Sequence, residues 1–403
     1  MDLVTLDDVR AAARGLEGVL NHTPVERSRA IGDAVGAEVL LKCENLQRTG
    51  SFKLRGAYHR IASLTDEQRA AGVVCASAGN HAQGVALAAR LQGVAATVFM
   101  PVDAPLPKLV ATQRYGARVE QVPGAFRDSM AAALAAAERD GQVFVHPFDH
   151  PDIIAGQGTV GLEVVAQVPE VATVVVCAGG GGLVAGMAVA LRALRPDVRI
   201  VAVQAAGCDG IRPSLAAGAP VAVERVETIA DGIAVERPGA LPLAHIQALV
   251  DEVVTVTDDE LARAVVLLLE RSKLVVEPSG AAAVAALLAG HLTPVDGPVV
   301  ATLSGGNVDP LVLQHLVTGG LRSDGRFVTI RTRVADQPGG LSRLLQLVAD
   351  SRANVVGVSH HRLERRLRLG QVEVVLELET RGHDHVRRLR DELLTAGYEV
   401  LLD

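Results

Sequence analysis

Short runs rich in Val and Ala alternate with longer Ala/Leu/Arg stretches, and that rhythm limits what this chain can fold into more than any other feature. VVCAS (73–77), HAQGVALAARLQG, ATVFM (96–100) and PKLVATQRYG come first, followed by ARVEQV, FRDSMAAALAAAERD and QVFVH. The rhythm returns at TVVVC (173–177), LVAGMAVALRALRP and RIVAVQ (199–204). Such lengths predict repeated β–α units. The short runs are apolar at both alternating positions, so each strand has to be covered on both faces, which is the environment of a parallel sheet between helical layers. An α/β body with open, twisted, parallel sheets is expected.

The pattern changes late in the chain. LVTGGLRSDGRF, after LSGGNVD (303–309) and an apolar helix, mixes Gly, Ser and charge and reads as a linker, cut near Leu321. Beyond it RFVTIRTRV, GGLSRLLQLVADS, NVVGVSHHRLE, GQVEVVLELET, HDHVRRLRDELLTAG and YEVLLD alternate as βαββαβ, a ferredoxin-like module. Its strands alternate polar and apolar residues, as in an antiparallel sheet with helices on one face.

Composition narrows the partners. With 39 Lys+Arg against 46 Asp+Glu, a net charge of -7 and no Trp, the chain lacks the cations and aromatic platforms that nucleic acids need. Its apolar stretches are broken before the ~18 residues of a membrane span. Cys43, Cys75, Cys177 and Cys208 form no C-x-x-C pair, so buried reduced thiols are expected, not zinc or redox motifs. The first residues lack the basic and apolar regions of a signal peptide, so a cytoplasmic location is expected.

Four segments could carry chemistry. In ENLQRTGSFKLRGA (44–57), Lys53 stands at the start of a helical pattern, where the helix dipole disfavours a cation. Bonding to a carbonyl would remove that charge; alone, such a lysine reads as a solvated surface residue. CASAGNHAQGVA (75–86) takes a strand into a helix and leaves unpaired N–H groups around Ala78 to His81, a turn suited to carboxylates. Ser77 and Asn80 could equally be plain helix caps. VVVCAGGGGLVAGMA (174–188) is a strand, four glycines and a helix, the pattern of an anion cradle. A nicotinamide reading is disfavoured because Gln204, not an acid, ends the next strand. In ATLSGGNVD (301–309), Ser304 ends an apolar strand and could donate to a ring nitrogen.

A lysine, a carboxylate turn, a phosphate cup and a strand-end serine match the needs of pyridoxal 5'-phosphate. With SFKLRGA, SAGNHAQG, GGGGL and SGGNVD in order, nearly the whole chain resembles the threonine ammonia-lyases (threonine dehydratases) of the tryptophan-synthase-β-like fold. The resemblance implies that residues 1–321 are a catalytic domain, with a small subdomain at roughly 50–145. It implies that Lys53 carries the cofactor covalently and takes the Cα proton, with Phe52 beside it. Asn80 would contact the phenolic oxygen, Gly179, Gly180, Gly181, Gly182 and Leu183 the phosphate, and Ser304 the pyridine nitrogen. Ser77, Ala78, Gly79, Asn80 and His81 would hold the substrate carboxylate. A serine at 304, with no acid there, would leave the nitrogen unprotonated and favour elimination over transamination.

The implied reaction is deamination of L-threonine to 2-oxobutanoate and ammonia, and of L-serine to pyruvate. A serine-preferring or 3-hydroxyaspartate dehydratase is the alternative. Serine racemases carry a second serine where this chain has Ala78, so racemisation is not expected. Those relatives also bind a divalent cation with acids where this chain offers Gln204 and Gly210 beside Asp209, so no metal is expected. Residues 322–403 resemble an ACT domain on VADQPGGLSRLLQLVADSRANVVGV (334–358), implying an amino-acid or nucleotide effector near Asp336, Pro338, Gly339 and Leu341. Isoleucine or valine would suit a biosynthetic enzyme. A homo-oligomer, dimer or tetramer, is expected.

Overall fold

The computed structural model describes residues 2–292, 296–362 and 370–402. Its strands in chain order are β1 Val25–Arg27, β2 Val39–Cys43, β3 Val73–Ala76, β4 Ala96–Pro101, β5 Arg118–Val122, β6 Val143–Phe144 and β7 Thr173–Cys177. After them come β8 Arg199–Ala205, β9 Glu252–Val256, β10 Val299–Leu303, β11 Phe327–Ala335, β12 Asn354–His361, β13 Gln371–Glu379 and β14 Leu401–Leu402. The chain divides into two compact units, 1–313 and 314–403.

The first unit holds two sheets. The larger runs β1-β2-β10-β7-β8-β9 and the smaller β5-β4-β3-β6. Every pairing in them is parallel except β1 with β2. Strands β3, β7 and β10 are buried along their whole length, as their apolar sequences require. The edge strands β5 and β9 are only partly covered.

Helix Lys53–Ala62 crosses helix Pro151–Gln167 at Gly56 and Gly156, where a Cβ on Gly156 would come within 2.6 Å of the Gly56 Cα. Only glycines allow so close an approach. At the crossing lies a buried charge cluster. Arg55 donates from Nε and Nη2 to both oxygens of Glu44 (2.8 and 2.7 Å) and from Nη1 to Glu163 (2.7 Å). Lys42, fully buried, donates to Glu163 (2.5 Å), to Gln167 (2.8 Å) and to the Thr23 carbonyl (2.8 Å). Two cations thus meet two carboxylates, the condition for keeping charge out of water.

The second unit has one antiparallel sheet in the order β12-β13-β11-β14, with helices Gly340–Asp350 and His383–Thr395. Val372, Val374, Leu376 and Leu378 of β13 and Val328, Ile330 and Val334 of β11 join Leu344, Leu389 and Leu393 in its core. The stretch that read as a linker is mostly helix, Pro310–Ser323, with a turn only at 324–326. Its Gly319 and Gly320 sit among good helix formers, and Gly320 and Leu316 are buried, so packing overrides the glycine penalty. No described helix is long and apolar enough to cross a membrane.

Candidate active site

Open α/β sheets present ligands at the carboxyl ends of their strands. Here β3 runs into Ser77–Gly79, β7 into the glycine run and β10 into Ser304. Lys53 is the first residue of its helix, and Phe52 before it makes no side-chain cap. The Phe52 N–H donates to the Ser304 carbonyl (3.2 Å), Ser51 pairs with Gly305, and the Gly306 N–H donates to the Gly50 carbonyl (2.9 Å). Those three links stitch the lysine to the turn after β10.

The Lys53 ammonium has a neutral partner, donating to the Pro147 carbonyl (3.0 Å) with the Phe52 ring 5.1 Å away. Burial lowers its pKa to about 8, against the opposing pull of Cys177 and Glu277. The turn that presents Pro147 is braced by His146, whose Nδ1 accepts the N–H groups of Phe148 (3.3 Å) and Asp149 (2.8 Å).

The Ser77 hydroxyl accepts the Gly79 N–H (3.1 Å), shaping the turn that caps helix Asn80–Leu91. The first N–H groups of that helix, at Asn80 and His81, have no acceptor within it. His81 Nε2 meets the Val145 carbonyl at 2.8 Å, and burial holds the ring neutral, its pKa lowered to about 3. Its side chain braces the helix against the segment just after β6, so its offering to a carboxylate is the backbone N–H. Ala78 places a methyl in the turn.

The glycine run hugs its neighbours. A Cβ on Gly180 would overlap the Phe148 ring, and one on Gly179 would come within 2.8 Å of the Ile233 Cα. Gly181 caps helix Gly182–Leu194 at φ +93°, a backbone that side chains rarely adopt. Leu183 is buried behind it. The result is a side-chain-free loop with helix-start N–H groups, which suits a phosphate.

Ser304 is 3% exposed, and its Oγ accepts from the Cys177 thiol (3.1 Å). Burial pushes that thiol up to about 11, so it stays a donor and the serine's own O–H is left for a ligand. All four cysteines are buried and unpaired, as expected.

Sequence reasoning missed Glu277, Asn307, Cys177 and Phe148. Glu277 accepts from Asn80 Nδ2 (2.6 Å), and burial, with Asp231 adding to it, raises its pKa to about 7. One signal was available: Glu277 is the sole acid in the otherwise uncharged run LVVEPSGAAAVAALL (274–288). Gln204 has a structural use, donating to the Cys208 carbonyl (3.3 Å) and accepting from the Ile211 N–H (2.8 Å). Among the described residues no group of three or more His, Cys, Asp or Glu could hold a metal.

In the second unit the turn after β11 holds the other predicted residues. Gly339, at φ +83°, caps helix Gly340–Asp350, and Leu341 packs on the core. Asp336 Oδ1 accepts from Arg362 (3.2 Å), and its N–H donates to the Gly370 carbonyl (2.9 Å). Pro338 lies within that turn.

Residues 16–305 match the family of pyridoxal-phosphate dependent enzymes, and the chain belongs to it. The fold and the site together define an enzyme that works with that cofactor, and the lysine, the side-chain-free phosphate loop and the buried serine donor fit it. Residues 328–394 match the ACT domain. The chain is 45% identical over 399 residues to the L-threonine ammonia-lyase of Thermotoga maritima, covering 99% of each chain. Among solved structures it resembles the processed form of threonine deaminase isoform 2 from Solanum lycopersicum, with 33% identity and a TM-score of 0.74, over 79% of this chain and 95% of that one. Maize serine racemase is also similar, with 36% identity and a TM-score of 0.75, over 80% of this chain and 99% of that one.

Proposed function

We propose that the protein deaminates L-threonine to 2-oxobutanoate and ammonia by α,β-elimination, and L-serine to pyruvate. The observation that carries this is Lys53, an amine opposed by no carboxylate hydrogen bond and lowered to about 8, beside a carboxylate turn and a phosphate loop. Pyridoxal phosphate, when bound, supplies an electron sink next to the substrate Cα. Gly179, Gly180, Gly181, Gly182 and Leu183 would hold its phosphate, Asn80 its phenolic oxygen and Ser304 its ring nitrogen. The N–H groups from Ala78 to His81 fix the substrate carboxylate, and Ser77 shapes that turn. Lys53 would carry the cofactor covalently at rest and, as a free neutral amine, would take the Cα proton of the substrate. Water and ammonia leave in turn, and hydrolysis returns one oxygen, so no outside oxidant is needed. Ala78 carries no hydroxyl to deliver a proton to the opposite face, so elimination prevails over racemisation. Release of 2-oxo acid from threonine, serine and 3-hydroxyaspartate, measured side by side, tests the reading and ranks the substrates; no release from threonine would refute it.

The phosphate loop makes its own prediction. Gly180→Ala forces a methyl against Phe148, and overpacking of that kind costs ~1–3 kcal/mol. Affinity for pyridoxal phosphate, read by cofactor titration, falls roughly ten- to a hundredfold. Retention of wild-type affinity would show that the loop has room to spare.

We read residues 1–321 as the catalytic part, with a small subdomain at roughly 50–145, and 322–403 as its regulatory module. Asp336, Pro338, Gly339 and Leu341 mark the effector turn, and a cytoplasmic homo-oligomer is the working form. Because the second unit has its own core, deleting the residues after Leu321 leaves threonine turnover in place. Any response to isoleucine, valine or nucleotides is lost. An effector response that survives the deletion would move regulation into the first unit.

A further inference from the structure

The Asn80 carboxamide is held at both ends, and the order of its hydrogen bonds is dictated from outside. The Thr49 carbonyl can only accept, so the end of Asn307 that meets it (2.7 Å) is the NH₂. The same nitrogen lies 2.7 Å from Asn80, so the atom facing it there is the Asn80 oxygen. The other end of Asn80 is therefore its NH₂, which gives one hydrogen to Glu277 Oε1 (2.6 Å) and keeps one. A main-chain carbonyl thus sets the polarity of two side-chain amides in series.

The surroundings leave these groups little room. A Cβ on Gly50 would come within 2.5 Å of Asn307 Oδ1, and one on Gly305 would run into Glu277 and come within 3.1 Å of Asn80 Nδ2. Asn307 cannot turn over without setting its oxygen against the Thr49 carbonyl, and Glu277, 3% exposed, offers an acceptor oxygen whether ionised or not.

We propose that Asn307, keyed by the Thr49 carbonyl and backed by Glu277, is a positioning residue that locks Asn80 with its free N–H toward the phenolic oxygen of the bound cofactor. The inference rests on the cofactor reading above and adds two residues to it. A donor at that place favours the ionised phenolic oxygen; a reversed amide would present a carbonyl and favour the protonated one.

The test is Asn307→Asp in the holoenzyme, a change that keeps the volume and removes the donor. An aspartate can only accept from Asn80, so the amide turns over. The visible and near-ultraviolet absorption bands of the bound cofactor report the ionised and protonated oxygen. A hydrogen bond to a charged group is worth ~1.5–3 kcal/mol, so their ratio shifts roughly ten- to a hundredfold toward the near-ultraviolet band. Asn307→Ala, should the aspartate variant not fold, frees the amide and moves the ratio in the same direction. Neither change alters the ratio in an Asn80→Ala background, because the effect travels through Asn80. A wild-type ratio in both variants, or a shift that persists without Asn80, overturns the proposal. Wild-type holoenzyme is measured alongside: if it binds cofactor and releases 2-oxo acid from threonine, a silent Asn307 refutes the relay alone. If it does neither, the functional reading itself is lost.

Discussion

Lys53→Ala brings threonine deamination down to background. Loss of a general base alone lowers turnover by roughly 10²- to 10⁴-fold, and loss of the covalent anchor adds to it, so a fall on the order of 10⁴-fold is expected. Lys53→Arg keeps a positive charge in the same place but never presents a neutral amine, so it falls about as far. That equality separates proton transfer from simple electrostatics. Burial lowers the free Lys53 amine to about 8, and only its neutral form can take a proton, so the turnover step that uses the released amine is expected to speed up as pH rises through the alkaline side of neutrality and then level off. A flat profile there, or an active arginine variant, would take the proton away from Lys53. Hydride trapping of the holoenzyme followed by peptide mapping places the label on the peptide carrying Lys53.

The largest effect on stability is expected two residues further on. Arg55→Met removes the guanidinium from between Glu44 and Glu163 and leaves Glu44, itself fully buried, hydrogen-bonded to Thr23 but to no cation, with Lys42 acting on it only through space. Breaking a buried ion pair on one side costs ~3–5 kcal/mol. At ~1.5 °C per kcal/mol for a unit spanning residues 1–313, melting drops by roughly 5–8 °C. Arg55→Lys keeps a charge but loses the two-pronged bond to Glu44, and it lands between the two. An unchanged melting temperature in Arg55→Met would mean that the cluster relaxes or neutralises at no cost.

The two predictions differ in how readable their residues were. Lys53 stood out because a cation at a helix start is electrostatically misplaced and motifs flanked it. Arg55 lies in the same SFKLRGA segment, yet nothing in the string says that its partners are residues 44 and 163. The parallel sheets were legible because β3, β7, β8 and β10 are apolar on both faces, a property of local sequence. The helix Pro310–Ser323 was not, because its glycines look like linker until Leu316 and Gly320 are seen to be buried. Glu277 and Asn307 escaped for another reason. Asn307 is ordinary in its own segment and Glu277 is marked only as the lone acid of an uncharged run; both gain their meaning from Asn80, 227 and 197 positions away. Phe148 was invisible in the same way, since its ring explains the glycine run only once the two are seen in contact.

The backbone links between residues 50–52 and 304–306 have a consequence for the order of events during synthesis. A nascent chain on the ribosome exposes its reactive amine early but lacks the last wall of the pocket until the strand ending at Leu303 has emerged. The segment that carries Lys53 can therefore gain its partner turn only after nearly all of the first unit has been made.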